Sequence, residues 1–150
     1  QATELGATDI YLLEGQRSNV KLNKQRMLGK LEHWHKVIVA SCEQCGQINL
    51  PTLHNPSQLA PMLAQLSQSE SHLIFFDPQA NPAPNQLAPQ DRVVFIGPEG
   101  GFSPEELRAF ADYQVEGYRM GTLTLRAETM PAAALTLIHQ AAGWPTNTDD

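Results

Sequence analysis

Short apolar runs alternate along the chain with longer segments in which apolar residues recur at three- and four-residue steps. The short runs predict buried β-strands, and the recurrence at three- and four-residue steps predicts helices with one apolar face. The alternation of the two is typical of an α/β domain with a mostly parallel sheet flanked by helices. The predicted elements are strand 9–14, helix 22–45, strand 49–54, helix 57–66, strand 72–77, loop 78–90, strand 93–96, helix 104–112, strand 115–120 and helix 128–142.

The longest predicted helix, 22–45, carries an apolar stripe. Its members are Met27, Leu28, Leu31, Trp34, Ile38, Cys42 and Cys45. The two cysteines form one C-x-x-C motif, which fits a redox pair, half a zinc site or two small core residues. Zinc needs two more ligands, and the five histidines show no paired spacing around the motif, so we expect core packing and no metal. Without a disulfide framework, the cytoplasm is the expected compartment.

A glycine-rich turn separates the strand at 93–96 from the helix at 104–112. The sequence from Val93 to Glu106 is V-V-F-I-G-P-E-G-G-F-S-P-E-E. Ser103 and Glu106 have the spacing of a capping box, and Pro104 suits the first helical position. The three glycines let backbone N–H groups approach a ligand, and ligands of open α/β sheets bind at the carboxyl ends of strands. The pattern therefore predicts a ligand-binding loop, with a purely structural turn as the alternative.

Phosphate is a poor candidate for the ligand of this turn. No Gly-Lys-Ser/Thr follows it, which excludes a P-loop, and its glycines do not match G-x-G-x-x-G. Glu99 also repels a pyrophosphate and suits a neutral or cationic ligand better. Nucleotide-phosphate binding is therefore kept only as a disfavoured hypothesis for this turn.

Composition and charge indicate one globular domain with an uneven distribution of charge. The chain has 150 residues, of which 41% are hydrophobic and 17% charged, and its net charge is −6. Residues 15–36 hold six basic side chains against Glu32 alone, whereas the rest of the chain is strongly acidic. This basic stripe fits either phosphate contacts or a solvated helix face. Because Gln1 lies in what reads as a helix end, we expect a segment upstream, and we expect the tail 146–150 to be disordered.

A second strand-to-helix turn spans residues 120–129, with the sequence M-G-T-L-T-L-R-A-E-T. Glu128 or Thr129 is placed to cap the helix that follows, and Arg126 is placed to pair with Glu128. Both turns follow a strand and precede a helix, so their strand ends are expected at one edge of the sheet. That shared edge predicts a joint pocket.

The two turns together resemble a known family. I-G-P-E-G-G-F-S at 96–103 with L-R-x-E-T at 125–129 is similar to the motifs of the bacterial ribosomal RNA small-subunit methyltransferase E family, which methylates a uridine at N3. A-T-E-L-G at 2–6, Arg17-Ser18 and E-Q-C-G at 43–46 are similar to earlier blocks of that family. The resemblance spans residues 1–143. It implies a SPOUT fold with a C-terminal trefoil knot, a homodimer, and bound S-adenosylmethionine.

The resemblance also implies site residues within a catalytic domain at 1–145. Three loops, after residues 73–76, at 97–101 and at 120–125, would line the cofactor pocket. The cofactor-binding residues so implied are Phe76, Ile96, Gly97, Pro98, Glu99, Gly100, Gly101, Met120, Gly121, Leu123, Leu125 and Thr129. Arg126 and Glu128 are the implied catalytic residues, and Arg17 and Lys21 are the implied contacts to ribosomal RNA.

The sequence departs from the family pattern in three ways, one of which is Met130-Pro131 where the family has small residues. Thr122-Leu123 stands where the family usually has Pro-Arg, which removes a cation near the pocket. The N-terminal RNA-binding barrel domain of the family is also absent from residues 1–150. These departures keep a second hypothesis open, a non-catalytic module of the same fold that acts through dimerisation or RNA contact.

Overall fold

In the part of the chain that the structure describes, the strands pair in parallel, as the alternating pattern predicts, but they form two small sheets instead of one. The computed structural model describes residues 1–17, 24–88 and 90–144. Its elements are β1 Asp9–Ile10, α1 Lys24–Cys45, β2 Thr52–Leu53, α2 Leu59–Leu66, β3 His72–Pro82, β4 Arg92–Phe95, α3 Pro104–Asp112, β5 Glu116–Arg119 and α4 Met130–Ala142. One sheet pairs β1 with β2, and the other has the order β4-β3-β5.

The three-stranded sheet brings the ends of its strands to one edge. His72–Phe75 pairs in register with Arg92–Phe95, and Ile74–Phe76 pairs with Glu116–Tyr118, both in parallel. Because parallel strands end on the same side, the chain that follows β4 and the chain that follows β5 leave the sheet together. The predicted shared edge for the two strand-to-helix turns is therefore confirmed.

Alternate residues of β3 belong to two cores on opposite faces of this sheet. Leu73 and Phe75 pack with residues of α2 and α3, whereas Ile74 and Phe76 pack with residues of α4. This is the two-residue periodicity of a strand covered on both faces. The helices thus fix the sheet from both sides and leave its carboxyl edge to the loops.

The predicted loop 78–90 begins too early, because β3 continues to Pro82. A register shift places both Phe76 and Asn81 opposite Tyr118, so residues 77–80 form a bulge. The Asp77 carboxylate accepts the Gln79 backbone N–H at 2.7 Å and closes this bulge locally. Asn81 and Pro82 then return to pair beside β5, a contact that local sequence patterns do not reveal.

The first strands and α2 are shorter than predicted. β1 covers Asp9–Ile10, followed by one isolated bridge between Leu13 and Ser57. Ser57 is not the N-cap of α2, because its N–H and carbonyl pair with Leu12 and Glu14, and Gln58 occupies the cap position instead. Pro61 is the third residue of α2, where the missing N–H would have no acceptor within the helix.

The longest helix, Lys24–Cys45, is followed by Gly46, whose φ is +76°. Ile38 and Cys42 of the predicted stripe are buried. Leu28 is 60% exposed and Cys45 is also exposed, so the expectation that both cysteines pack in the core is wrong for Cys45. Cys45 is the last residue of the helix, where the stripe leaves the core.

Candidate active site

The glycine-rich turn is a tight reversal between β4 and α3. The Gly101 N–H donates to the Pro98 carbonyl at 2.8 Å, and Gly101 has a φ of +65°. A Cβ on Gly97 would lie 3.2 Å from the Phe102 ring. Glycine is thus required at Gly101 by backbone conformation and favoured at Gly97 by the close ring.

The predicted capping box at the start of α3 is confirmed. The Ser103 hydroxyl accepts the Glu106 N–H at 3.1 Å, and the Glu106 carboxylate accepts the Ser103 N–H at 2.7 Å. Pro104 occupies the first turn, as expected. Ser103 and Glu106 are both 4% exposed, so this box fixes the end of the glycine turn in a buried setting.

The second turn, after β5, is open and carries the two implied catalytic residues. Gly121 has a φ of +66°, and the N–H groups of Thr129 and Met130 both donate to the Arg126 carbonyl. Thr129 precedes α4, but its side chain makes no capping hydrogen bond, and Glu128 lies one residue before it. The predicted side-chain cap is therefore wrong; Pro131, the second residue of α4, has no N–H to donate to a cap at Thr129.

The predicted pairing of Arg126 with Glu128 is confirmed. Arg126 Nη1 lies 3.9 Å from Glu128 Oε1, and the two side chains are 85% and 67% exposed. This separation is longer than a hydrogen bond, so each group can also reach a ligand. The pair stands in solvent beside the open turn, where a polyanion has access to it.

The implied cofactor-binding residues divide by exposure. Ile96, Met120 and Leu125 are half-buried, whereas Leu123 is 79% exposed. Phe76 is buried against α4, which keeps its ring in the core below the loops. The remaining members of the implied set, Gly97, Pro98, Glu99, Gly100, Gly101, Gly121 and Thr129, lie in the two turns or at their ends.

One implied RNA contact touches the glycine turn directly. Arg17 Nη1 donates to the Gly100 carbonyl at 2.6 Å. The second implied contact, Lys21, lies outside the described residues. Sequence reasoning missed that the Gln16 N–H donates to Glu106 at 3.0 Å, since 90 residues separate the two. In the sequence, Glu106 has the spacing of a capping-box residue. That spacing already explains why a glutamate stands there, so nothing in the sequence indicates a second partner for it.

A large groove of the described structure lies elsewhere. It measures about 2190 Å³ and is lined by residues of α1, β1 and α4, including Met27, Trp34 and His139. It reaches Ile96 but neither the glycines of the first turn nor residues 120–129. We therefore assign the candidate site to the sheet edge, where the glycine turn and the turn at 120–129 lie, and not to this groove.

The described residues contain neither a metal site nor a membrane-spanning helix. In ranges 1–17, 24–88 and 90–144, no group of three or more His, Cys, Asp and Glu side chains is placed to hold a metal ion. Within the same part of the chain, no helix combines the length and the apolar character needed to cross a membrane.

Tyr118 of β5, two residues before the second turn, has a perturbed phenol. Burial, together with a hydrogen bond to the nearby Glu116 carboxylate, raises its pKa from 10.0 to about 12. The folded state thus holds this proton more tightly than the unfolded chain. The resulting stabilisation is complete below the unfolded pKa of 10.0 and is lost as pH rises toward about 12.

We therefore expect the stability gap between the unmodified chain and Tyr118→Phe to change with pH. The difference in free energy of unfolding should be constant below the unfolded pKa. Above that pKa, the unmodified chain should lose stability relative to Tyr118→Phe. Urea unfolding at a series of pH values measures the gap, with Tyr113→Phe as the control at an exposed tyrosine. A gap that does not vary through this window would contradict the assignment.

Comparison with known proteins gives a consistent set of relatives. A family model described as the RNA methyltransferase domain matches residues 1–139. The ribosomal RNA small subunit methyltransferase E of Buchnera aphidicola is 31% identical over 140 residues, which cover 92% of this chain and 56% of that protein. That of Mesomycoplasma hyopneumoniae is 26% identical over 91% of this chain and 60% of its own length. The chain thus spans little more than half the length of these curated relatives.

Solved structures agree in fold. A Legionella pneumophila protein in complex with the bound cofactor SAM superposes with a TM-score of 0.84 at 33% identity, over 93% of this chain and 58% of that one. A ribosomal RNA small subunit methyltransferase E from Neisseria gonorrhoeae, bound to S-adenosyl methionine, gives a TM-score of 0.82 at 26% identity, over 92% and 56%. Both neighbours support the α/β arrangement described above.

Proposed function

This chain belongs to the RNA methyltransferase domain family, and from that membership we propose that it binds S-adenosylmethionine and methylates small-subunit ribosomal RNA at N3 of a uridine. One observation carries the proposal. The glycine turn and the 120–129 turn, which carries the Arg126–Glu128 pair, leave the sheet at the same edge. Two neighbours of the same fold hold the same methyl donor.

The residues at this edge suit S-adenosylmethionine better than a nucleotide phosphate. The conformation of Gly101 and Gly121 leaves backbone groups open to close approach, since a Cβ added at either would meet no atom within 4 Å. Half-buried Ile96, Met120 and Leu125 offer apolar contacts to an adenine ring. When bound, the group supplies an electrophilic methyl on a cationic sulfonium, and the exposed Glu99 carboxylate favours a positive charge nearby.

The proposed reaction needs a proton acceptor and a positive charge. Neutral uridine N3 is a poor nucleophile, so its proton leaves before or during methyl transfer. The Arg126 guanidinium stabilises the negative charge that develops on the base, and Glu128 accepts the proton. The N3–carbon bond forms as the carbon–sulfur bond breaks, which yields N3-methyluridine and S-adenosylhomocysteine. Alignment of the two reactants supplies a large part of the acceleration.

Several finer features belong to the same proposal. We propose a SPOUT-type trefoil knot formed by the C-terminal loops, a homodimer, and a place in the cytoplasm. Leu123 stands, 79% exposed, where the resemblance expects an arginine. We therefore expect this chain to contact RNA near the site with one cation fewer than its relatives.

Calorimetric titration with S-adenosylhomocysteine tests the site. We expect a dissociation constant on the order of 1 μM, about −8 kcal/mol. Gly101→Ala should weaken binding about 10-fold, since alanine at positive φ costs roughly 1–2 kcal/mol. Gly29→Ala is the matched control, because a Cβ there meets no atom within 4 Å and Gly29 is an exposed residue of α1.

The same titration separates the alternatives. Binding of ATP in place of S-adenosylhomocysteine would favour the nucleotide-phosphate reading. Binding of neither would favour a non-catalytic module. Equal affinities for Gly101→Ala and the unmodified chain would move the site away from the glycine turn.

A further inference from the structure

Three hydrogen bonds join the segment after β1 to the glycine turn. Arg17 Nη1 donates to the Gly100 carbonyl at 2.6 Å, and the Gln16 N–H donates to Glu106 Oε1 at 3.0 Å. The Ser103 hydroxyl donates to Gln16 Oε1 at 2.9 Å. We call these bonds the Gln16–Glu106 latch. They connect parts of the chain more than 80 residues apart, and they fasten both ends of residues 100–106.

Glu106 does more in this latch than a capping box requires. A capping box uses one carboxylate oxygen, and here Oε2 accepts the Ser103 N–H at 2.7 Å. The other oxygen, Oε1, accepts from Gln16. A glutamine has one amide oxygen and therefore accepts only one of these two bonds, because its NH2 group would face the second N–H. Glu106 is 4% exposed and its bond to Gln16 is partly buried, so loss of this bond carries a desolvation cost.

We propose that Glu106 is a positioning residue that couples RNA contact at Arg17 to methyl-donor binding at the glycine turn. The proposal rests on the proposed function, which gives the glycine turn its ligand, and on the RNA contact that the family resemblance implies for Arg17. The latch makes them one hydrogen-bonded unit. A ligand that orders one segment lowers the ordering cost for the other, and such coupling is reciprocal.

The test measures coupling in the unmodified chain and in two matched variants. Glu106→Gln keeps the size of the side chain but cannot keep both bonds. Glu105→Gln removes the same charge from the same helical turn, where Glu105 is exposed and pairs with Arg108. For each protein, the dissociation constant of a small-subunit ribosomal RNA transcript is measured with and without saturating S-adenosylhomocysteine, and the ratio is compared.

We expect S-adenosylhomocysteine to tighten RNA binding at least about 5-fold in the unmodified chain and in Glu105→Gln. In Glu106→Gln the ratio should fall to about 1. If Glu106 only capped the helix, Glu106→Gln would weaken RNA binding equally with and without S-adenosylhomocysteine, and the ratio of the two dissociation constants would not change. An unchanged ratio in Glu106→Gln, or a ratio of 1 in the unmodified chain, overturns the proposal. If the unmodified chain does not bind S-adenosylhomocysteine at all, the result overturns the proposed function instead.

A second variant and a second measurement guard against misfolding of Glu106→Gln. Gln16→Ala leaves the carboxylate and the cap intact and removes only the acceptor for the Ser103 hydroxyl, so the ratio should fall partway. In the unmodified chain, hydrogen exchange at the Gln16 amide should slow when S-adenosylhomocysteine binds. An exchange rate that does not respond contradicts the latch without any substitution.

Discussion

Arg126→Ala is expected to lower the rate of methyl transfer at least about 100-fold, which is the usual loss when one group that stabilises developing charge is removed. Arg126 lies beside the open second turn, 85% exposed, with the Glu128 carboxylate 3.9 Å away. In our proposal its guanidinium acts on the uridine base and makes no bond to the methyl donor. The affinity for S-adenosylhomocysteine should therefore stay close to that of the unmodified chain.

The measurement is incorporation of labelled methyl groups into small-subunit ribosomal RNA under saturating and limiting RNA. A contact formed only in the transition state lowers kcat, whereas a contact made equally with bound RNA raises KM alone. Arg108→Ala is the matched control, because Arg108 is also an exposed arginine in an ion pair with a nearby glutamate, Glu105. Turnover of Arg126→Ala within a few-fold of the control would remove Arg126 from the mechanism.

The parts of this site that the sequence predicts are those encoded within a few residues. The Ser103–Glu106 capping box follows from spacing alone and is present in the structure. The helix 104–112 is predicted with its observed bounds, since Pro104 and the capping box mark its start. Strand-to-helix order likewise places the two turns at one sheet edge, because parallel strands leave no other arrangement.

The parts that the sequence does not predict depend on contacts between distant segments. Residues 81–82 rejoin the sheet by pairing with Tyr118 and Arg119 across the bulge. The same limit hides the bond between Gln16 and Glu106, whose spacing is that of an ordinary cap. The resemblance implies a cofactor contact at Phe76, and the register of its strand places the Phe76 ring in the core that α4 covers. Local patterns determine which segments form elements, and packing decides what each side chain then contacts.

Phe110→Ala is expected to lower the free energy of unfolding by about 3–5 kcal/mol. Phe110 is fully buried on α3 beneath the glycine turn. Its ring centroid lies 4.7 Å from that of Phe75 on β3, 5.1 Å from that of Phe95 on β4, and 4.8 Å from that of Phe102 in the turn. Truncation removes contacts with all three at once and leaves a cavity between rigid elements, which limits relaxation.

Loss of the Phe110 ring should also weaken ligand binding at the glycine turn, because Phe102 belongs to that turn and packs against Gly97. Urea unfolding gives the stability, and titration of the still-folded variant with S-adenosylhomocysteine should give a weaker affinity. Tyr113→Ala is the control, another aromatic truncation at the end of the same helix but at an exposed position, and it should cost less than about 1 kcal/mol. If Phe110→Ala cost no more than this control, the four rings would not form the support of the turn, and the turn would owe its shape to the capping box and the Gln16–Glu106 latch alone.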